Sequence, residues 1–283
     1  MILLTGVTGK TGGETAKQLL KKGATLRALV RDENKAARLK ASGVELVVGD
    51  IADADTVRRA LKGVEKAFLT LPNGKTQLAN EKQFTDLAVA ARVKHLVKMS
   101  SMEAVADAKT SIPKGHWAAE EHIRASGLAW TMVKPNFFMQ NLLASAVAIK
   151  AQRKFFLPMG NGTTGMADIR DIGAVCAEVL TGKGHAGQSY EITGPEVLTF
   201  YDVADRFTEV LGEKVEYVPM PMDQFRERMN KILEPWHLNA VCELFQEIAD
   251  IGLDHTTDTF KKLIGRDPIS VRQFITDHVA LFR

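Results

Sequence analysis

Three glycines at positions 6, 9 and 12 open this chain, inside the run Leu3-Leu4-Thr5-Gly6-Val7-Thr8-Gly9-Lys10-Thr11-Gly12-Gly13. The apolar residues Met1 to Leu4 read as a short strand, and Thr15 to Lys22 as a helix. A glycine turn between a strand and a helix lets backbone approach a ligand closely and aims the free N–H groups of the helix start at it. Such groups suit a phosphate or a pyrophosphate. The spacing G-x-x-G-x-x-G differs from the G-x-G-x-x-G of the common dinucleotide fingerprint. Strand, turn and helix still follow one another in the order a dinucleotide site needs. The competing reading is a purely structural strand–helix turn.

The elements that must hold this turn alternate along the first half. Leu26 to Val30, Glu45 to Val48, Ala67 to Leu71, His95 to Met99 and Trp130 to Val133 read as strands, several of them nearly continuous apolar runs. Strands buried on both faces have that pattern. Asn34 to Ala41, Asp53 to Leu61, Gln77 to Arg92 and His116 to Ser126 read as the helices between them. The alternation predicts an α/β fold, a doubly wound parallel sheet of Rossmann type. Ligands in such sheets bind at the carboxyl ends of the strands, so Gly6, Arg31, Asp50, Thr70, Ser100 and Lys134-Pro135-Asn136 are predicted to ring one site.

The pattern loosens after about residue 137. Helices are predicted over Phe138 to Gln152, Asp171 to Leu180, Tyr201 to Leu211, Asp223 to Leu233, Leu238 to Ile251 and Ser270 to Phe282, with strands at Ser189 to Ile192 and Val215 to Val218. Residues 1–153 form the expected dinucleotide-binding core. Residues 154–283 return one helix and one strand to it and form a small, mostly helical cap on the substrate side.

At this point the chain resembles the NmrA-like atypical short-chain dehydrogenase/reductases, a group that includes triphenylmethane reductases, small quinone reductases and non-enzymatic redox sensors. The resemblance lies in Thr5 to Gly12, Val30-Arg31-Asp32, Gly49 to Asp53 and Lys134-Pro135-Asn136-Phe137-Phe138-Met139-Gln140-Asn141. Ala167 to Gly173 and Tyr190 to Pro195 agree with it. It implies that Gly6, Val7, Thr8, Gly9, Lys10, Thr11 and Gly12 cradle a pyrophosphate. Asp50 and Ile51 would hold the adenine, and Thr70, Leu71 and Pro72 the nicotinamide ribose. Ser100, Pro135, Asn136 and Phe137 would lie at the cofactor, with Asn141 shaping the wall beside the nicotinamide. The competing readings are turn and cap residues for Asp50 and Asp53, core side chains for Phe137 and Phe138, and a structural helix-start residue for Asp171.

An NAD protein generally carries Asp or Glu at the end of the second strand, on the adenosine 2′-hydroxyl. This chain carries Arg31, whose fork matches a phosphate dianion, and Lys10 is near enough in the turn to assist. The expected cofactor is NADP(H), with NAD(H) bound more weakly; Asp32 stands against that preference.

Most short-chain dehydrogenases protonate an alkoxide with a Tyr and a Lys four residues later. The tyrosines here are Tyr190, Tyr201 and Tyr217, all far from the helix that carries that motif; Ile112 stands at the Tyr position and His116 at the Lys position. Ser100 and Ser101 remain, without the acid they would assist. A ketone needs a positioned general acid, often worth ~10²–10⁴ in rate. A quinone, azo compound or carbocationic dye delocalises the added charge and collects solvent protons later, leaving the protein to supply alignment and exclusion of water. His116 is the weak candidate for a proton donor, its ordinary pKa lying in the useful range. An apolar pocket for the acceptor is expected from Trp117, Phe137, Phe138, Met139, Asn141 and Trp236.

The net charge of +3 is small and the basic residues are dispersed, which argues against nucleic acid as a partner. No apolar run approaches the roughly 18 residues of a membrane span. With no signal peptide ahead of the first strand, a cytoplasmic location is expected. Cys176 and Cys242 sit in apolar helical contexts as free thiols, with no metal-ligand spacing. The expected partners are a small hydrophobic or aromatic acceptor and, at most, a second copy of the chain, as monomer or homodimer. Three activities fit: an NADPH-dependent reductase of conjugated electrophiles, a redox sensor that binds NADP(H) without turnover, and a reductase or isomerase of a natural metabolite.

Overall fold

The computed structural model describes all 283 residues. In chain order the elements are β1 (Ile2–Leu4), α1 (Lys10–Lys21), β2 (Leu26–Val30), α2 (Ala37–Ala41), β3 (Glu45–Val48), α3 (Ala54–Leu61), β4 (Lys66–Leu69), α4 (Gln77–Ala90), β5 (His95–Met99), α5 (Ser111–Ala125), β6 (Ala129–Pro135), α6 (Ala146–Gln152), β7 (Lys154–Leu157), β8 (Thr163–Thr164), α7 (Ile169–Thr181), β9 (Gln188–Ile192), β10 (Leu198–Thr199), α8 (Phe200–Leu211), β11 (Glu216–Pro219), α9 (Met222–Met229), α10 (Pro235–Ile251), α11 (Thr259–Ile264), α12 (Val271–Asp277) and α13 (Val279–Phe282). No helix is long and apolar enough to cross a membrane.

The chain divides into two compact units. The first holds Met1–Ala108, Pro113–Lys134 and Ile172–Glu191; the second holds Lys109–Ile112, Pro135–Asp171 and Ile192–Arg283. The first unit is a seven-stranded sheet in the order β3-β2-β1-β4-β5-β6-β9, with β3 through β6 paired parallel. The doubly wound α/β fold is thus as the alternation predicts. Leu3, Ala67, Leu69, Leu96 and Met132 lie on one sheet face and pack with Val57, Leu61, Phe84 and Ile123 from α3, α4 and α5. On the other side, α7 meets α1 at Gly173, where a Cβ would stand 2.7 Å from the Glu14 side chain. The order reverses between β1 and β4, which creates a switch point at their carboxyl ends.

The second unit is built on aromatic packing. Phe155 on β7 lies 5.3 Å from Tyr217 on β11 and 5.9 Å from Phe207 on α8, and Phe207 meets Phe282 edge-on at 4.8 Å. β7 was not evident in the sequence. It begins directly after α6, which Arg153 ends in a left-handed conformation, and its partner β11 lies about sixty residues on. The predicted helix from Ser270 to Phe282 is two, α12 and α13, with the break at His278, whose ring packs on Phe274 at 4.4 Å. Helix α5 starts at Ser111, five residues before the predicted start. The Glu243 carboxylate of α10 accepts from both its N–H and its hydroxyl, at 2.8 and 2.6 Å. Pro113 is tolerated in the first turn, where its missing N–H costs nothing.

Buried at the amino end of β5, His95 donates through Nε2 to Thr131 Oγ1 at 2.8 Å, because the Thr131 hydroxyl is itself committed to the His185 carbonyl at 2.6 Å. Burial, then the charges of Lys66 and His185, push the His95 pKa down to about 4. The unfolded chain therefore takes up a proton near pH 6.5 that the folded chain refuses until about pH 4. Stability is full above the unfolded value and is lost as pH falls through this window, by on the order of 3 kcal/mol for this residue. His95→Gln should flatten that acid limb in urea titrations run from pH 7 to pH 4; an unchanged slope would show that His95 does not resist protonation.

Candidate functional site

The switch point holds a cavity of about 610 Å³ in the first unit. Gly6, Thr8, Gly9, Lys10, Thr11, Gly12, Arg31, Asp50, Ile51, Thr70, Leu71 and Pro72, all named from the sequence, line it. Thr5, Leu29, Val30, Gly49, Ala52, Thr76, Gln77 and Asn80 join them, none of them given a site role from the sequence. Of these, Thr5 carries a structural signal. Its hydroxyl bonds the carbonyls of Phe68 and Thr70 at 3.2 and 3.0 Å and accepts the Thr70 N–H at 2.8 Å. One side chain thus ties the turn after β1 to the turn after β4.

The glycines act by close approach. Gly6 has φ +63°, and a Cβ on it would lie 2.7 Å from the Thr70 carbonyl oxygen; a Cβ on Gly12 would lie 2.4 Å from the Gly6 oxygen. Helix α1 can sit against the turn only because both lack one. Gly9 is looser, with 3.2 Å to the Gly6 oxygen, and it is exposed. As N-cap it supplies no side-chain cap, and the first turn of α1 carries no acid. The first N–H groups of α1 and the dipole behind them are left for an anion. Helix α3 contrasts with this, because Asp53 caps it through the N–H groups of Asp55 and Thr56. That is the cap role set against a binding one for Asp53.

Charge follows the same division. Arg31 and Lys10 are exposed at the cavity and engage no other side chain. Asp32 does not neutralise Arg31: its Oδ1 accepts the Asn34 N–H at 2.9 Å and starts the turn into α2. Asp50 lines the cavity while its Oδ1 accepts the Ala52 N–H, also at 2.9 Å. These residues fit a phosphorylated dinucleotide: a cradle that a Cβ would fill, an uncapped helix start and two unpaired cations in one crevice.

Other sequence candidates stand elsewhere. Val7 is buried in the apolar core beside the turn. Ser100 is buried, and its hydroxyl is bonded to Glu120. Pro135, Asn136 and Phe137 belong to the second unit. There Asn136 Oδ1 accepts the Phe137 N–H at 2.6 Å and its Nδ2 reaches the Leu253 carbonyl at 3.3 Å. Phe137 packs on Phe200 and Phe245 at 6.0 and 6.1 Å, so its ring serves that unit's core. Met139 is fully buried in the same core, Phe138 and Trp236 are half-buried, and Asn141 is exposed. Trp117, in the first unit, lies half-buried under the Arg124 guanidinium at 5.0 Å. The apolar types that suit a pocket suit a core equally, and Phe137 and Met139 went to the core.

His116 is buried in a polar cluster. Lys98 Nζ contacts both Glu81 oxygens at 2.9 and 2.8 Å, the Met99 carbonyl at 3.1 Å and His116 Nδ1 at 3.2 Å. Burial, then the positive charges of Lys98 and Lys134, hold the His116 pKa well below the ordinary histidine value. Its imidazole is therefore neutral near pH 7, which corrects the expectation of a protonated donor titrating in the useful range. Glu120, also buried, is bonded by Arg124 at 2.6 Å and lies 3.5 Å from Lys134. Tyr190 bonds His185 Nδ1 at 2.9 Å and Tyr217 bonds the Leu157 carbonyl at 2.9 Å. Asp171, buried in the second unit, accepts from Arg266 and from the Ile269 N–H, both at 2.6 Å, in keeping with a structural role.

A parallel sheet that reverses at an uncapped glycine turn flanked by free cations defines a Rossmann-type protein with an anion-accepting crevice. More narrowly, the chain belongs to the NmrA-like family, whose model matches residues 1–274. It is 36% identical over 285 residues to an NAD(P)H azoreductase of Xenophilus azovorans, spanning 100% of this chain and 99% of that protein. It is 27% identical to quinone oxidoreductase 2 of Escherichia coli, over 98% of both chains. Among solved structures, the NADPH-dependent quinone oxidoreductase of Escherichia coli in complex with NADPH superposes with a TM-score of 0.90 at 26% identity, covering 99% of this chain and 100% of that one. The Citrobacter triphenylmethane reductase with NADP(H) shares the fold at a TM-score of 0.87 and 22% identity, over 98% of this chain and 99% of that one.

The glycine geometry separates two effects. Gly9→Val should leave a folded protein that no longer binds NADPH. Gly12→Val should cost ~3 kcal/mol of stability, because its side chain overlaps backbone. Circular dichroism melts with fluorescence titration of NADPH check both; native affinity in folded Gly9→Val would make the turn structural only.

Proposed function

We propose that this protein is an NADPH-dependent oxidoreductase that transfers hydride to a conjugated electrophile of quinone, azo or triphenylmethane-dye type, without a Tyr/Lys acid pair. One observation carries the cofactor: Arg31 and Lys10, both unpaired, face the cavity that the uncapped start of α1 opens into. Family membership and the azoreductase and quinone oxidoreductase relatives support the reaction class.

NADPH supplies a hydride when bound. The chain's own residues then have three tasks. The turn from Gly6 to Gly12 and the N–H groups of α1 hold the pyrophosphate, and Arg31 with Lys10 takes the 2′-phosphate. Asp50 and Ile51 flank the adenine, and Thr70, Leu71 and Pro72 flank the nicotinamide ribose. Pro135, Asn136, Phe137 and Phe138 are the residues we assign to the nicotinamide's acceptor side. Neither Tyr190 nor Tyr217 is available as an acid, because each hydroxyl is committed elsewhere. The reaction therefore favours an acceptor that delocalises charge and takes its proton from solvent.

The experiment is turnover of NADPH with a panel of quinones, azo dyes and triphenylmethane dyes. Oxidation of NADPH with at least one of them is expected; tight binding without turnover across the panel would select the sensor instead. Arg31→Ala should weaken NADPH by ~1.5–3 kcal/mol and leave NADH little changed, as loss of a charge-assisted contact requires. Calorimetric titration of both cofactors decides this, and equal losses would show that Arg31 does not read the phosphate.

A further inference from the structure

Lys98 is fully buried, and nothing in the cofactor chemistry above uses it. It stands in register with Leu69, the residue before cavity-lining Thr70. Its carboxylate partner Glu81 is bonded by Gln77 Nε2 at 3.2 Å, and Gln77 lines the cavity. A continuous polar wall, Gln77–Glu81–Lys98–His116, thus runs from the cavity into helix α5.

The chemistry of this wall fixes a proton. An ammonium has three donors and no acceptor, so the ring nitrogen it touches must accept. That nitrogen is Nδ1, and the neutral imidazole must then carry its hydrogen on Nε2. Nε2 makes no hydrogen bond to the protein, and the residue is 7% exposed. Other charged groups do not compete for the ring. Lys134 and Lys98 both oppose its protonation, Glu81 is spent on Lys98, and Glu120 is spent on Arg124, Ser100 and Lys134.

We infer that Lys98 is a positioning residue that locks His116 as a neutral Nε2–H donor, and that this hydrogen bond selects acceptors with an oxygen or nitrogen lone pair at the reduced end: quinones and azo compounds rather than carbocationic dyes. The inference rests on the reductase reading. The acceptor receives two electrons and one proton as hydride from NADPH, which leaves as NADP⁺. Negative charge collects on the quinone oxygen or the distal azo nitrogen, and a solvent proton neutralises it. His116 keeps its own proton throughout and stabilises that charge as it forms.

Two measurements test it. Nitrogen-detected NMR of the imidazole in the full-length protein should report the neutral Nε2–H tautomer from pH 5.5 to pH 8. An Nδ1–H tautomer or a titrating ring would overturn the assignment. In kinetics with NADPH, His116→Leu should lower the ratio of kcat/KM for benzoquinone to that for crystal violet about tenfold, as loss of one neutral hydrogen bond implies. His116→Gln, which keeps an N–H, should restore most of it. An unchanged ratio overturns the role of His116.

Removing Lys98 alone strands the Glu81 charge, so the positioning role is tested in Lys98→Met/Glu81→Met, which removes both buried charges together. Wild-type quinone reduction should be flat with pH in this range. The double variant should be slower at pH 8 and recover toward acid, as an unlocked His116 becomes able to protonate. A flat profile in the folded double variant overturns the positioning role. If the wild type reduces no acceptor, the reductase reading and the acceptor selection fail together, while the NMR result still stands or falls alone.

Discussion

At Gly12 the backbone of α1 lies so near the Gly6 carbonyl that a Cβ would stand 2.4 Å from its oxygen. Much of the first unit's chemistry depends on that approach. It brings the start of α1 to the carboxyl end of β1, where the strand order reverses and a crevice opens. Because Gly9 offers no side chain, the helix start is uncapped, and an anion can take the place a cap would fill. Thr5 then fixes the opposite wall, since one hydroxyl binds the backbone on both sides of Leu69.

A second constraint lies behind that wall. Two buried carboxylates, Glu81 and Glu120, face two buried lysines, Lys98 and Lys134. Burying charge is costly, and such a cluster holds only when each group is paired and hydrogen-bonded. The pairing is close here, and the histidine placed among the lysines is kept neutral. Hydrophobic residues of similar volume would fill this space at less electrostatic cost. What they could not supply is a fixed donor direction, and the cluster has one free imidazole nitrogen to direct.

Most of the first unit was legible in the sequence because its signals are local. Strands buried on both faces read as continuous apolar runs; nine of the cavity residues follow from the glycine turn and the strand ends, and three more, Ile51, Leu71 and Pro72, from the family resemblance. What was missed depends on distant partners. The start of α5 is set by Glu243, more than a hundred residues away, and β7 pairs with β11 across some sixty residues. The acceptor-side residues were the least legible. Phe137 and Met139 have the side chains a pocket needs, but composition cannot distinguish a wall from a core. His116 was identifiable by type, while its protonation state depended on burial and on the charge of Lys98, which reads in sequence as an ordinary residue within an apolar strand.

The balance of charge at the crevice decides which dinucleotide fits it. Three aspartates, Asp32, Asp50 and Asp53, lie along the path from the end of β2 to the start of α3, and any of them could serve a ribose hydroxyl by type. Each already accepts a backbone N–H: Asp32 from Asn34, Asp50 from Ala52 and Asp53 from Asp55. The cations at the same rim have no such engagement. An acceptor committed to its own turn is a poorer partner for a ribose hydroxyl than a free carboxylate would be, whereas a free guanidinium loses only water when a phosphate arrives. Local turn chemistry in the loops after β2 and β3 therefore occupies the carboxylates and leaves the two cations free, which favours a phosphorylated ribose at the adenosine end.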